Sequence, residues 1–491
     1  MLLIYRRASK DNQSFRMTTM TWLSVLPPLL TIALAIWSKR IVPSLLAGLL
    51  LGGYLLDPRP TGGFETAVDR IVSTLTDKDS LQVLLFLFLF SGLMGIIKRS
   101  GGIQAFSAMA GKRVASKKGV FSVLWGVIPV TFIDCGFRIV GAGSITRPLA
   151  EKHGIARERL AFMLNNTASP IVELIPIATT YVGFNLAIIT LGLKGAGISD
   201  QASAYSIWLR AIPLEFFSLA AIAITFVSIF RKSSKQKAGP AEPAPHMPAA
   251  EHGMTMEAPE PVIKPRLLNL VVPMLTVIAL SIFFFWFFGS APSGDASVFA
   301  AITNSEPNRA MLVALFITVF VTAIVYAFQK YGIKEMVQDI IAGGSEIMPT
   351  LVILAVAWPL AAVSQDLGMN LFIQDLVGNS LPGWSVAVTL FVLSAAVTFF
   401  IGSGWGSASL IMPFAIPLAV SVGASVPLCV AAVITGGTFG DVTSPVAGMT
   451  NMASNIAGAD HAKYMRYASP YNFAAAGIAV VLYVVAGLVS G

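Results

Sequence analysis

Residues 438–454 read Thr-Phe-Gly-Asp-Val-Thr-Ser-Pro-Val-Ala-Gly-Met-Thr-Asn-Met-Ala-Ser and lie between two apolar runs long enough to cross a bilayer. Asp441 supplies a carboxylate, Thr443, Ser444 and Thr450 supply hydroxyls, and Asn451 supplies an amide. Hydrocarbon offers these groups no hydrogen-bond partners, so they belong in a cavity or inside protein. An ionisable residue at membrane depth marks a functional site by default. Gly440 and Pro445 are expected to break the helix here and free backbone carbonyls. Carbonyls, hydroxyls and Asp441 together make hard oxygen ligands for Na⁺, or a carboxylate that cycles a proton. The plainer reading makes Asp441 the cap of a helix start; its position between two apolar runs weighs against that.

A counterpart stands in the first half: Asp134 and Arg138, then Asn165-Asn166-Thr167-Ala168-Ser169-Pro170, then Glu173. Asp134 and Arg138 are four apart, so a helical turn would let them pair. They form either a self-neutralising ion pair, or a site where Arg138 holds a carboxylate substrate or acts as a fixed cation. Glu173 lies seven residues after Asn166 and offers Arg138 a second partner. A third stretch, Gly402-Ser403-Gly404-Trp405-Gly406-Ser407-Ala408-Ser409, reads as an unwound substrate-lining segment. Its alternative is close helix packing through small residues, with Trp405 as an interfacial anchor. Interrupted segments at matching places in two halves point to a carrier's binding site. Neither Cys135, Cys429 nor the four histidines show ligand spacing, and no nucleophile–base set appears, so an enzyme is not expected. No cofactor is expected beyond a coupling ion, Na⁺ or H⁺.

The elements that must position these groups are membrane spans. Of 491 residues, 55% are hydrophobic and only 12% charged, against about 25% charged in soluble domains. The net charge of +8 sits mostly in loops between the apolar runs. No basic face interleaved with aromatics appears, so nucleic acid is not an expected partner. No cleavable signal peptide is evident. Spans are expected at 22–37, 41–56, 81–97, 119–133, 139–150, 160–182 and 206–230. They resume at 267–289, 309–328, 347–365, 384–402, 407–421, 425–439 and 470–490, with amphipathic pieces in 57–80 and 331–345. The aromatic run Phe283–Phe288 reads as lipid-facing bulk. Residues 231–266 hold seven prolines, six Lys/Arg and four glutamates, and read as a flexible cytoplasmic linker.

The chain therefore divides into an extension (1–21), a first membrane repeat (22–230), the linker (231–266) and a second repeat (267–491). Loop charge sets their relation. Loop 98–118 carries six Lys/Arg and its counterpart 366–383 none; 147–159 carries four and 419–425 none; 38–40 carries two and 290–308 none. Basic loops stay inside, so matching loops lie on opposite sides and the repeats are inverted. This topology sets the N-terminus outside, against Arg6, Arg7, Lys10 and Arg16, which favours a start at Met17 or Met20. The expected fold is an all-α polytopic inner-membrane protein of about 10–12 spans. It is an inverted-repeat secondary transporter with broken helices or hairpins at the bilayer midplane.

Three passages carry a family resemblance: Phe-Ile-Asp-Cys-Gly-Phe-Arg with the following residues to 161, Asn-Asn-Thr-Ala-Ser-Pro at 165–170, and Gly-Asp-Val-Thr-Ser-Pro with Thr450 at 440–450. Together they resemble the NhaC-type sodium/proton antiporter family, within the ion-transporter superfamily, over roughly 22–490 apart from the linker. The resemblance implies a scaffold and a transport core, often dimeric, embedded in the lipid bilayer and exchanging Na⁺ for H⁺ by alternating access. The chain also departs from that pattern. It has Asp134-Cys135 where paired acids are usual, Arg138 where a polar residue is usual, and Asn165-Asn166-Thr167 for Asp-Ser-Thr. It has Ala447-Gly448-Met449-Thr450 where Ser-Asp-Thr-Thr is usual after the Ser-Pro. Lost acids and a gained base keep an alternative open: H⁺- or Na⁺-coupled transport of a small carboxylate or amino acid.

Overall fold

The computed structural model describes residues 22–111, 116–177, 179–198, 201–230, 260–293, 306–369 and 382–490, and every regular element among them is helical. The extension, most of the linker and most of the loops 290–308 and 366–383 lie outside the described residues, as do Met17 and Met20. The first part runs α1 (Leu26–Ser38), α2 (Ile41–Leu56), α3 (Gly62–Leu75), α4 (Lys78–Arg99), α5 (Gly102–Gly111) and α6 (Lys117–Gly126). A single turn, Ile128–Thr131, leads to α7 (Cys135–Lys152), α8 (Arg157–Asn166), α9 (Ser169–Glu173), α10 (Thr180–Gly195), α11 (Gln201–Ala211) and α12 (Phe216–Ser228). The second part holds α13 (Leu268–Ser293), α14 (Pro307–Ala327), α15 (Ile333–Glu346), α16 (Met348–Asp366) and α17 (Gly383–Ile401). It ends with α18 (Gly404–Ser421), α19 (Val426–Thr443), α20 (Gly448–Ala457) and α21 (His461–Ser490).

Eight described helices are long and apolar enough to cross a bilayer, or nine if the bent pair around Glu215 is one span. Two shorter apolar helices, Leu23–Ser38 and Ile41–Leu56, stand beside them among the described residues of this multi-pass helical membrane protein. The apolar run 119–133 ends as a helix at Gly126, and the run 160–182 is three pieces. Proline and the Asn-Asn-Thr carbonyls interrupt them, so chain that reads as a span is partly broken helix. The aromatic run behaves as lipid-facing bulk except at Phe285: Phe283, Trp286 and Phe287 are exposed and Phe285 is buried.

The amphipathic helices are exchanged between the halves. On α15, Gly343 meets Gly95 of α4 backbone to backbone, and the Ser91 hydroxyl donates to the Gly343 carbonyl at 2.7 Å. Lys98 pairs with Glu346 at 2.6 Å and Arg99 with Asp339 at 3.4 Å across the same contact. Reciprocally α3 lies on α16, with Arg70 paired to Asp366. The broken helices repeat this exchange: Gly143 of α7 makes room for Ile456 of α20, and Gly192 of α10 makes room for Ile416 of α18. The last residues of the expected linker are not loose. Val262 N–H donates to the Arg99 carbonyl at 2.9 Å, Ile263 is buried, and Pro261 and Pro265 rest against Gly101.

In a bilayer the helices gain nothing from hiding apolar surface from lipid, so small residues and close backbone contact carry their association. The α17–α19 crossing shows this. A Cβ at Gly436 would stand 2.7 Å from the Phe391 carbonyl oxygen, and one at Gly440 would stand 2.1 Å from the Thr398 methyl. Gly436→Val is therefore expected to cut sharply the amount of monodisperse protein extracted in detergent. Gly477→Val, whose site on α21 has nothing within 4 Å, should extract like the wild type. Equal yields for the two variants would show that this crossing tolerates separation.

Candidate functional site

Asp441 lies in the last turn of α19, not at a helix start, because the helix runs on through Thr443 and breaks only at Ser444–Ala447. Its carboxylate seats on a different helix. One oxygen accepts from the Gly404 N–H at 2.9 Å, at the N-terminus of α18, and the other faces the Tyr181 hydroxyl at 3.5 Å. The N-terminal turn of a helix carries unsatisfied N–H groups and a partial positive charge, which favour an anion. Only Gly402 and Ser403 are unwound in the 402–409 stretch. Gly402 adopts φ +80°, a left-handed conformation suited to glycine, and Ser403 caps α18 by accepting from Gly406 N–H at 3.2 Å. The small residues from Gly404 onward serve helix packing, and Gly404 also leaves the space Asp441 fills.

A small cavity of about 10 Å³ lies beside this carboxylate, lined by Asp441, Glu173, Thr438, Tyr181, Asn185 and Trp405 among others. That is about the least volume that holds one water. Glu173 accepts from Ser218 at 3.0 Å and from Thr438, and its second oxygen has no partner among the described residues. The amide nitrogen of Asn185 is likewise without one. Trp405 is no interfacial anchor: it is 7% exposed, stacks on Phe184 at 4.5 Å and meets Tyr181 edge-on at 5.4 Å. Those three rings wall the cavity.

Sequence reasoning missed Glu215. It sits between a 3₁₀ turn, Ile212–Leu214, and α12, is 0% exposed, and neither of its oxygens has a hydrogen-bond partner among the described residues. It lies within electrostatic reach of Glu173. The signal was an acid beside Pro213 inside a run read as one uninterrupted span, 206–230. Among the described residues none of Glu173, Glu215 and Asp441 is in an ion pair. A carboxylate buried this way is held at low cost only with a proton or a cation on it. The acids do not converge on one point, and no cluster of three or more metal-ligating side chains occurs among the described residues.

The expected Asp134–Arg138 pair does not form. Asp134 caps α7: one oxygen accepts from Phe137 N–H at 3.0 Å, the other from the Thr180 hydroxyl at 3.1 Å. Arg138, fully buried, turns away and donates to the Leu124 carbonyl at 2.7 Å, the Thr131 hydroxyl at 3.0 Å, the Thr167 hydroxyl at 3.1 Å and the Thr167 carbonyl at 3.2 Å. Glu173 is not its partner either. The guanidinium clamps backbone freed at the ends of α6 and α8, and is spent on structure. Asn165 donates to the Tyr464 hydroxyl at 2.8 Å and Asn166 to Asn472 at 2.7 Å, so both fasten α8 to α21. Ser444 donates to the Phe399 carbonyl at 2.6 Å, Thr450 to the Ser444 carbonyl at 2.8 Å, and Asn451 to the Ala447 carbonyl at 3.0 Å. These three stabilise the α19–α20 break. Thr443 is buried with a hydroxyl lacking a partner among the described residues, and Ser169 is buried beside Cys135 and Tyr181.

A model of the Na⁺/H⁺ antiporter family matches residues 174–488, more than half of the chain. The chain belongs to the Na⁺/H⁺ antiporter family. This antiporter-family chain is 26% identical over 479 residues to an uncharacterized protein of Haemophilus influenzae, covering 94% of this chain and 90% of that one. It is 34% identical over 104 residues, 21% of this chain and 22% of the other, to an uncharacterized Na⁺/H⁺ antiporter of the same organism. Its fold is similar to that of the YdaH transporter of Alcanivorax borkumensis, at TM-score 0.58, 18% identity and coverage of 94% and 98%. It is similar also to MtrF of Neisseria gonorrhoeae, at TM-score 0.58, 17% identity and coverage of 97% and 98%. The family match includes Asp441, Glu215 and Ser403; Asp134, Arg138 and residues 165–170 precede it.

Proposed function

We propose that this secondary transporter exchanges Na⁺ for H⁺ across the inner membrane by alternating access, with Asp441 holding the cation and the proton in turn. The observation that carries the reading is a set of three buried carboxylates without a basic partner, one of them seated on the N-terminus of a broken helix. Glu173 shares the Asp441 cavity, and Glu215 continues the acids beyond it. Competition of one cation and one proton for the same oxygens gives exchange rather than co-transport. The reciprocal packing of α3, α4, α15 and α16 supports two inverted repeats. Small-carboxylate transport anchored on Arg138 loses most of its support, because four of that side chain's five N–H groups are engaged within the protein.

The test is proteoliposomes holding an acid-inside gradient reported by a pH dye. Na⁺ added outside should dissipate the gradient saturably. A gradient unchanged by Na⁺, Li⁺ or K⁺ would remove the exchange reading.

Membrane sidedness follows from the same topology: 98–118 and 231–266 in the cytoplasm, 290–308 and 366–383 outside. Both native cysteines are buried, so single cysteines introduced at exposed Lys117 and Glu306 report against a low background. A membrane-impermeant maleimide applied to intact cells should label position 306 and spare 117. Labelling at 117 would reverse the assignment.

A further inference from the structure

The end of the bundle opposite Lys98 and Arg99 holds a second, larger cavity, about 250 Å³ in volume. It lies between the end of α3, the start of α4, the second half of α10, the start of α14 and the second half of α16. Helix α10 serves both cavities: Asn185 lines the Asp441 site and Ala187, two residues on, lines the larger one. The aromatic wall of Phe184 and Trp405 stands beside the inner site.

Three residues of its lining carry a polar atom with no hydrogen-bond partner among the described residues: Trp358 Nε1, Gln365 Nε2 and Asn308 Oδ1. Trp358 and Asn308 are each 3% exposed. Buried polar groups are ordinarily satisfied, and one left unmade costs ~1–3 kcal/mol. Two of the three are donors on one face of α16, seven residues and two turns apart; the third is an acceptor on α14. Charge of both signs completes the lining: Lys194 and Arg70, the latter paired to Asp366, against Asp77 and Asp79. Lys194 stands 3.5 Å from Asp77 and 3.8 Å from Asp79, at or beyond the limit of a hydrogen bond. Asp77 is partly buried, which pushes its carboxyl up, but the Ser80 N–H and Lys194 outweigh this and hold it below the usual carboxylate range.

We propose that this cavity binds a small zwitterion, a neutral α-amino acid. Its carboxylate takes the Trp358 and Gln365 N–H groups and Lys194; its ammonium takes Asn308 Oδ1 and the Asp77–Asp79 carboxylates. A simple anion would leave Asn308 Oδ1 unmatched and meet two carboxylates, which Lys194 and the start of α4 already engage. A simple amine would leave both N–H donors unmatched and meet Lys194. The volume falls below the ~300–1,000 Å³ of drug-sized pockets, which limits the ligand to a compact one. This inference stands apart from the cation-exchange reading, since none of its residues contacts Asp441.

The experiment is thermal unfolding of the purified full chain in detergent with L-alanine, L-serine or L-glutamine, and with propionate and propylammonium as single-charge controls. At least one amino acid should raise Tm saturably while both controls leave it unmoved. Trp358→Phe, which removes only the N–H, should weaken the half-saturating concentration on the order of tenfold. Lys194→Gln, at the half-exposed rim, should weaken it as well and serves if Trp358→Phe does not fold. Asp441→Asn should leave the shift intact, so loss of exchange and loss of this site are read separately. The proposal is overturned if no amino acid shifts Tm, if a control shifts it equally, or if the folded variants bind like the wild type.

Discussion

Asp441→Asn is expected to reduce Na⁺-driven dissipation of a pH gradient to the level of empty liposomes, with the protein still folded in the membrane. The geometry makes this substitution mild for structure. An asparagine carbonyl still accepts from Gly404 N–H, and its amide can donate to the Tyr181 oxygen. What it loses is the negative charge that alternately takes a cation and a proton. An amide does neither at neutral pH. Unchanged detergent chromatography with lost exchange is the expected pair of results. Exchange near the wild-type rate in the folded variant would reduce Asp441 to a structural tie between α19 and α18.

Arg138→Leu is expected to fail at folding rather than at transport. The substitution strands the Leu124 and Thr167 carbonyls inside the protein, while the Thr131 and Thr167 hydroxyls keep their bonds to the Val127 and Met163 carbonyls. At ~1–3 kcal/mol for each unsatisfied buried group, the sum is several kcal/mol, comparable to the whole stability of many domains. Asp134→Asn combined with Arg138→Leu should recover nothing, because the two side chains share no bond in this structure. Arg138→Lys should recover little. One ammonium cannot reach three elements that a forked guanidinium joins. Extraction yield and Tm in detergent measure all three variants. Restored yield in the double variant would mean that the pair forms after all.

Much of the architecture was written in the apolar runs, since a span announces itself by length and composition. The places of interruption were also legible: Ser403, the Asn-Asn-Thr passage and Ser444-Pro445 all stand at helix ends or breaks. What the sequence did not carry was which break meets which. Asp441 finds its donor 37 residues away at Gly404, and Glu173 finds Thr438 across 265 residues. Local spacing misled at Asp134 and Arg138. A helix cap folds its carboxylate back onto its own third N–H, so the i, i+4 neighbour is released to bond elsewhere. Trp405 was misplaced for a related reason: its neighbours in sequence are glycines, whereas its packing partners come from α10.

The exchange of α15 onto α4 also has a meaning in time. Lys98 waits for Glu346, which follows 248 residues later. At ~5–20 residues per second of synthesis, about 10–50 seconds pass between the two. Throughout that interval α4 sits in the membrane with its Gly92–Gly95 surface bare and its basic end unmatched. The nascent chain cannot complete its first half before most of the second has been made. Under the sidedness proposed above, Lys98 and Arg99 act during the wait as a ballast, their charge keeping that end of α4 on the ribosome's side of the bilayer. They set the helix's direction first and secure its neighbour afterwards.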